Sequence, residues 1–245
     1  MHRFFAPALD PGDESVSLPR DEAEHLTRVL RLSVGDTVSV FDGRGHEFLA
    51  RVVTAAARDV RVQLLSRVDV PLEPALKLTL AQAVLKGDKM DEIVRDAVML
   101  GVAAIQPLVT RRTETTVAAL VRGARLDRWR RIALASAKQS GRAVIPEIAT
   151  PLSFDTYLQE PAAAVSLMLV EPAAHVDVEP IAALKQTPAP PDVAVWVGPE
   201  GGWDSVEWTA GRERGARLVS LGRETLRADA VPVAIISVLR FLWEA

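Results

Sequence analysis

The sequence predicts an α/β protein: a small β-rich unit followed by a larger domain built on a parallel sheet. Three observations carry this reading. The first 70 residues hold short alternating, β-branched runs with turn signals between them. After residue 72 the texture changes to apolar strands alternating with amphipathic helices, the pattern of a parallel α/β sheet. Between them, "VDVPLEPALK" supplies two prolines and reads as a linker, so the domains are placed at 1–72 and 73–245.

The elements follow in chain order. A short helix is expected around "RDEAEHLTRVLR". "DTVSVFDG" and "EFLARVVTAA" read as strands joined by a hairpin at Gly43-Arg44-Gly45, and "DVRVQLLSRV" repeats the strand pattern. In the second domain "LKLTLAQAVL" and "AAIQPLVT" are strands. Between them "DKMDEIVRDAVMLGV" is a helix, apolar at 90, 93, 94, 97 and 98, with Asp88 as its cap. "RLDRWRRIALASAKQS" is a helix with Leu126, Trp129, Ile132 and Ala133 on one face. Arg125, Arg128, Arg130 and Arg131 are then largely free to point elsewhere. "AVSLMLV", "DVAVWV" and "ARLVSL" are three short apolar strands separated by helical stretches. "ADAVPVAIISVLRFLWEA" closes the chain as a helix apolar around more than one face, which suits deep core or an interface between copies.

Composition narrows the function classes. Of 245 residues 49% are hydrophobic and 25% charged, ordinary for a globular protein. With no cysteine, disulfides and thiol chemistry are excluded. His2, His25, His46 and His175 show no metal-ligand spacing, so no metal is expected. No apolar run approaches the roughly 18 residues that span a bilayer, and the start "MHRFFAPALD" is too short and too charged for a signal peptide. The expectation is a cytoplasmic protein without membrane association.

Net charge is only −3, but it is unevenly spread: −2 over residues 1–72, +5 over 73–153 and −6 over 154–245. From Arg111 to Arg142 nine basic residues face only Glu114 and Asp127. Such a stripe suits a polyanion, although a solvated helix face has the same composition.

The last three strands each end in an unusual loop. One runs into Glu171-Pro172, the next into Gly198-Pro199-Glu200-Gly201-Gly202, the third into Gly222-Arg223-Glu224-Thr225-Leu226-Arg227. In parallel α/β sheets ligands bind outside the carboxyl ends of strands, so the three loops would share one pocket. A phosphate cradle fits poorly. The Gly-Lys-Ser/Thr ending and the G-x-G-x-x-G fingerprint are both absent, and Glu200 would repel a phosphate. Glycine backbone with Glu171 and Glu200 suits a ligand with hydroxyls and a positive centre, a description that fits S-adenosylmethionine better than a nucleotide. The cofactor candidates are Leu169, Val170 and Glu171; Val197, Gly198, Pro199, Glu200, Gly201 and Gly202; and Leu221, Gly222, Leu226 and Arg227. Gly201 is read as a close-approach position with positive φ. Glu200 either bonds a cofactor hydroxyl or orders the loop.

Five segments, "MHRFF", "HLTRVLRLSVGDTVSVFDGRG", "KQSGRAVIPEI", "VGPEGGW" and "LGRETLRADAVPVAI", are spread along the chain from residue 1 to residue 235. In them the sequence resembles the ribosomal RNA uridine-N3 methyltransferases of the SPOUT superfamily. The resemblance implies an N-terminal PUA-like RNA-binding β-barrel, a C-terminal α/β domain with a trefoil knot, and a homodimer. It also implies S-adenosylmethionine as cofactor and small-subunit (16S) ribosomal RNA as substrate. The family usually reads Glu and Thr where this chain has Asp229 and Ala230, and "EQSGR" where this chain has Lys138.

Uridine N3 must lose a proton before it accepts a methyl group. A cation stabilises the developing charge and a base takes the proton. Arg227, closing the third loop, is the candidate cation and Asp229 the candidate base; Asp229 is also placed to cap the last helix. RNA contacts are assigned to Arg28, Arg31, Arg111, Arg112, Arg128, Arg131, Lys138 and Arg142. Three alternatives stay open: a methyltransferase acting on another RNA, a non-catalytic RNA-binding protein, and a small-molecule enzyme with an adenosine cofactor.

Overall fold

A computed structural model describes residues 1–56, 59–172 and 177–244. His175 and the last residue of the C-terminal segment lie outside the described residues. The chain divides into two compact units: Met1–Glu73 with Ala137–Ile145, and Pro74–Ser136 with Pro146–Ala245.

The first unit is a five-stranded sheet in the order β1-β3-β4-β5-β2, built from β1 (Arg3–Phe5), β2 (Ser15–Ser17), β3 (Thr37–Phe41), β4 (Glu47–Ala56) and β5 (Asp59–Arg67). Val38, Val40, Ala50, Val52, Val60 and Val62 are buried with Phe4, Leu9 and Leu26, as period-two alternation requires of a one-sided sheet. Gly43 makes the β3–β4 turn at φ +76°, where a Cβ would meet Phe5 and Ile145 at 2.9 Å. Helix α1 (Arg20–Glu24) is shorter than the sequence suggests and passes into a π-helical turn at His25–Val29.

Residues 137–145 group with this unit, not with the domain expected to begin at 73. The reason is polar. The Arg3 guanidinium pairs with Glu47 and donates to the carbonyls of Ala137, Lys138, Gly141 and Arg142. The buried Glu22 carboxylate accepts from Lys138 Nζ at 2.8 Å on both oxygens, and Arg142 pairs with Glu73.

The second unit carries a wholly parallel sheet in the order β11-β13-β10-β12-β6-β7-β8, with β9 beside β7. Its strands are β6 (Lys77–Ala83), β7 (Ala104–Val109), β8 (Glu147–Ile148), β9 (Leu152–Ser153), β10 (Val165–Leu169), β11 (Glu179–Pro180), β12 (Asp192–Val197) and β13 (Arg217–Ser220). β10 and β12 are buried along nearly their whole length, which is why they read as continuous apolar runs. Met168, Ala194, Trp196 and Leu218 form one core with Phe154, Leu158 and Trp203.

Among the described residues six α-helices accompany the strands, α2 (Lys89–Met99), α3 (Val117–Arg122), α4 (Arg125–Ser140), α5 (Phe154–Tyr157), α6 (Ser205–Glu213) and α7 (Val231–Glu244), with a 3-10 helix at Ile181–Gln186. Asp88 does not cap α2 through its side chain; it lies 3.5 Å from Arg128 instead. The α4 arginines are less free than the sequence suggests. Arg125 donates to the carbonyls of Leu85 and Gly87, Arg128 pairs with Asp91, and Arg130 reaches Asp127 and the Ile148 carbonyl.

Candidate active site

The strands β13, β10 and β12 lie side by side, with Leu169 level with Val197 on one side and Val219 on the other. Their carboxyl ends therefore deliver three loops to one place. Together the loops enclose a cavity of about 260 Å³. Among the expected cofactor residues, Leu169, Val170, Glu171, Val197, Gly198, Pro199, Glu200, Gly201, Gly202, Leu221 and Leu226 line it. Gly222 and Arg227 do not. Pro172, Glu224 and Thr225, which belong to the expected loops, line it as well, and so do Trp203, Ala228 and Val231, which no periodicity or charge signal marks.

The glycine loop is shaped by contacts that exclude side chains. Gly202, not Gly201, has positive φ, at +68°, and its N–H donates to the Pro199 carbonyl at 2.9 Å. A Cβ there would stand 2.6 Å from Glu171 Oε2. A Cβ on Gly198 would press on the Trp203 indole at 3.1–3.2 Å. Trp203 itself donates from Nε1 to the Leu169 carbonyl at 2.9 Å, tying the glycine loop to the end of β10.

Glu200 orders the loop. Its carboxylate accepts from Lys89 Nζ at 3.0 Å and from the Lys86 N–H at 3.2 Å. Burial alone would raise its pKa. Hydrogen bonds from its own backbone, from Lys89 and from Lys86 outweigh burial and hold the carboxyl below its ordinary value. On the other side Arg112 donates to the Gly201 carbonyl at 2.7 Å and lies 3.5 Å from Asp204. Asp204 and Glu207 form a capping box at the start of α6, and Glu207 also accepts the Arg111 N–H at 2.7 Å. Lys89 and Trp203 are the anchors that sequence reasoning did not assign, although "KGDKMDE" and "GPEGGW" contain them.

Among the described residues no basic side chain lines the cavity, whereas the carboxyl-bearing Glu171, Glu200 and Glu224 do. The lining therefore suits a neutral, hydroxyl-bearing or cationic ligand and disfavours phosphate. A sulfonium nucleoside such as S-adenosylmethionine matches this donor set.

Arg227 and Asp229 form a pair outside the lining, with Nε–Oδ1 at 3.0 Å and Nη2–Oδ2 at 2.5 Å. The guanidinium is 77% exposed and the carboxylate 17%. Arg227 beside it, more than any other group, holds the Asp229 carboxyl below the usual range. A carboxylate so held is a weak base. The N–H groups of Ala230 and Val231 are met by the Arg227 carbonyl.

The basic residues separate by environment. Arg28 and Arg31, in the first unit, and the Arg111 side chain, in the second, are exposed and have no ion-pair partner among the described residues. Arg131 is exposed and, among the described residues, bonds only to the Asp127 carbonyl of its own helix. Arg112 fastens the glycine loop and Arg128 pairs with Asp91. Lys138 and Arg142, expected at RNA, are occupied by Glu22 and Glu73.

A family model described as an RNA methyltransferase domain matches residues 72–240. This chain belongs to the RNA methyltransferase family. A second model, an RNA methyltransferase PUA domain, matches residues 18–65, which gives this family member an N-terminal PUA-like unit. The chain is 34% identical to the ribosomal RNA small subunit methyltransferase E of Synechocystis, over 95% of this chain and 75% of that protein. It superposes on the Neisseria gonorrhoeae enzyme of the same description, solved bound to S-adenosyl methionine. The TM-score is 0.87 and identity 29%, over 99% of this chain and 98% of that one. A Legionella pneumophila methyltransferase, solved with bound SAM, gives a TM-score of 0.86 at 30% identity, covering 98% and 96%.

Proposed function

We propose that this RNA methyltransferase transfers a methyl group from S-adenosylmethionine to N3 of a uridine in small-subunit ribosomal RNA, as a step in ribosome biogenesis. The observation that carries the reading is the three-loop cavity, closed by a glycine turn at Gly202 and lined, among the described residues, without a basic side chain. When bound, the cofactor supplies a methyl group on a sulfonium. The chain's residues supply position and electrostatics. Backbone groups of residues 198–202 cradle the ligand, and Leu169, Val197, Leu226 and Val231 give it an apolar wall that excludes water. Glu171 and Glu224 offer carboxylates to its hydroxyls or positive centre.

Arg227 is the electrostatic residue. Its exposed guanidinium can turn to a uracil carbonyl as N3 loses its proton, an interaction stronger in the transition state than before it. Asp229 positions Arg227 and leaves the proton to solvent; its pairing favours this role over that of a base. Arg28, Arg31, Arg111 and Arg131 are assigned to RNA phosphates.

The resemblance further supports a SPOUT trefoil knot in the C-terminal domain, a cytoplasmic setting, and a homodimer. For the dimer, α7 buries Pro232, Ile235, Ile236 and Leu239 yet leaves Phe241 72% and Val233 37% exposed. Titration calorimetry with S-adenosylmethionine tests the cofactor reading. Binding at micromolar to sub-millimolar ligand is expected, and no heat near millimolar ligand overturns it.

A further inference from the structure

Arg227 cannot turn to a uracil carbonyl without loosening its own partner. Nε and Nη2 of its guanidinium both face Asp229, and turning the fork gives up at least one of those bonds. Asp229 is then a largely buried carboxylate short of a donor, which is costly unless another cation takes the place. The second unit supplies one at the right height.

Helices α2 and α7 pack against each other, and Arg240 near the end of α7 donates to the carbonyls of Leu100 and Gly101 at the end of α2. The two helices therefore run in the same direction and end together. Eleven residues back from Leu100 is Lys89, the first residue of α2, and eleven back from Arg240 is Asp229, just before α7. With a rise of about 1.5 Å per residue in both, Lys89 and Asp229 stand at about the same height. The charges agree with this placement. Arg227 is the chief group holding the Asp229 carboxyl below its usual range, and Lys89 adds to it. Glu92, one turn along α2, adds to Asp229 in holding Arg227 above its ordinary value. Lys89 directs one of its three N–H groups to Glu200 at 3.0 Å, its only hydrogen-bond partner among the described residues. The ammonium sits on a flexible stem and is 35% exposed, so its remaining N–H groups can serve a second carboxylate.

We propose that Lys89 is a positioning residue shared by two acids: it fastens the cofactor loop through Glu200, and it takes over Asp229 as Arg227 turns to the uracil. The inference rests on the proposed methyl transfer to uridine and deepens it by naming the cation that releases the electrostatic arginine. Because one ammonium serves both acids, the cofactor loop and Arg227 are coupled through α2.

The test uses the full-length protein, transcribed small-subunit ribosomal RNA and methyl-labelled S-adenosylmethionine. Cofactor Kd is read by calorimetry, and kcat is read at saturating cofactor, where any loss of cofactor affinity drops out. Lys89→Met weakens cofactor binding by no more than about fivefold, the loss of a partly exposed ion pair. It lowers kcat about tenfold even with cofactor saturating, because Asp229 now retains Arg227. Lys89→Arg keeps the cation and restores most of kcat. In an Asp229→Asn background the neutral side chain needs no replacement cation. Adding Lys89→Met there leaves kcat unchanged, while the loss of cofactor affinity persists. Lys89→Gln carries the same readings if the methionine variant does not fold. A wild-type kcat in Lys89→Met, an equal kcat loss in both backgrounds, or no rescue by Lys89→Arg overturns the inference and leaves Lys89 as an anchor of the glycine loop only. Wild-type protein that binds the cofactor yet methylates no uridine in this RNA overturns the proposed reaction, and this inference with it.

Discussion

Gly202 and Gly201 are neighbours with opposite tolerances. A Cβ on Gly202 would sit at φ +68° and strike the Glu171 carboxylate, while one on Gly201 would meet only the flexible Arg112 side chain at 3.4 Å. Gly202→Ala is expected to weaken S-adenosylmethionine binding at least tenfold by calorimetry, with Gly201→Ala within about threefold. Equal losses would mean that the strained turn is not what shapes the cavity. Glu200 gives a pH prediction. A carboxyl whose folded pKa is depressed contributes stability above its unfolded value, near 4.5, and loses it as pH falls through the lower folded value. The Glu200 contribution to stability is therefore flat from about pH 5 to 8 and falls only in acid, which thermal unfolding against pH reads. Glu200→Gln removes that acid limb. An acid limb retained in the variant would belong to another group. Arg227→Ala is expected to lower kcat by about two orders of magnitude with little change in cofactor Kd. Asp229→Asn would lower kcat less and leave the pH profile unshifted; a shifted profile would restore Asp229 as the base.

At the scale of elements, α4 shows why charge read along a chain misleads. Nine basic residues between Arg111 and Arg142 look like one stripe, but the structure distributes them among several tasks. Lys138 neutralises the buried Glu22, a partner 116 residues away, and no local pattern encodes that meeting. Lys138→Met should destabilise the protein by about 3 kcal/mol in urea unfolding, because Glu22 is left buried and unpaired. The RNA salt slope should stay unchanged. A stable variant with a lower slope would return Lys138 to RNA. The strands were legible for a physical reason: β10 and β12 are buried along nearly their whole length and read as almost unbroken apolar runs, while β6 and β7 keep buried apolar residues around Thr79, Gln82 and Gln106. The three loops were legible because glycine, proline and lone carboxylates punctuate strand ends. Trp203, Ala228 and Val231 were not, since an apolar residue after a turn looks the same whether it lines a cavity or fills a core. The π turn and the left-handed Arg31 were also hidden, because a helical pattern is continuous through "EAEHLTRVLR".

At the scale of the molecule, the exposed Phe241 of α7 predicts that Phe241→Glu shifts sedimentation at micromolar concentration from dimer to monomer, and a wild-type monomer would contradict the pairing. The central claim is methyl transfer to uridine N3. Its most direct test incubates purified protein with small-subunit ribosomal RNA and methyl-labelled S-adenosylmethionine, then digests the RNA and separates nucleosides by mass spectrometry. The account predicts label in 3-methyluridine alone, lost with Gly202→Ala and strongly reduced with Arg227→Ala. Unlabelled RNA, or label carried on a ribose hydroxyl or on a base atom other than uridine N3, would contradict it.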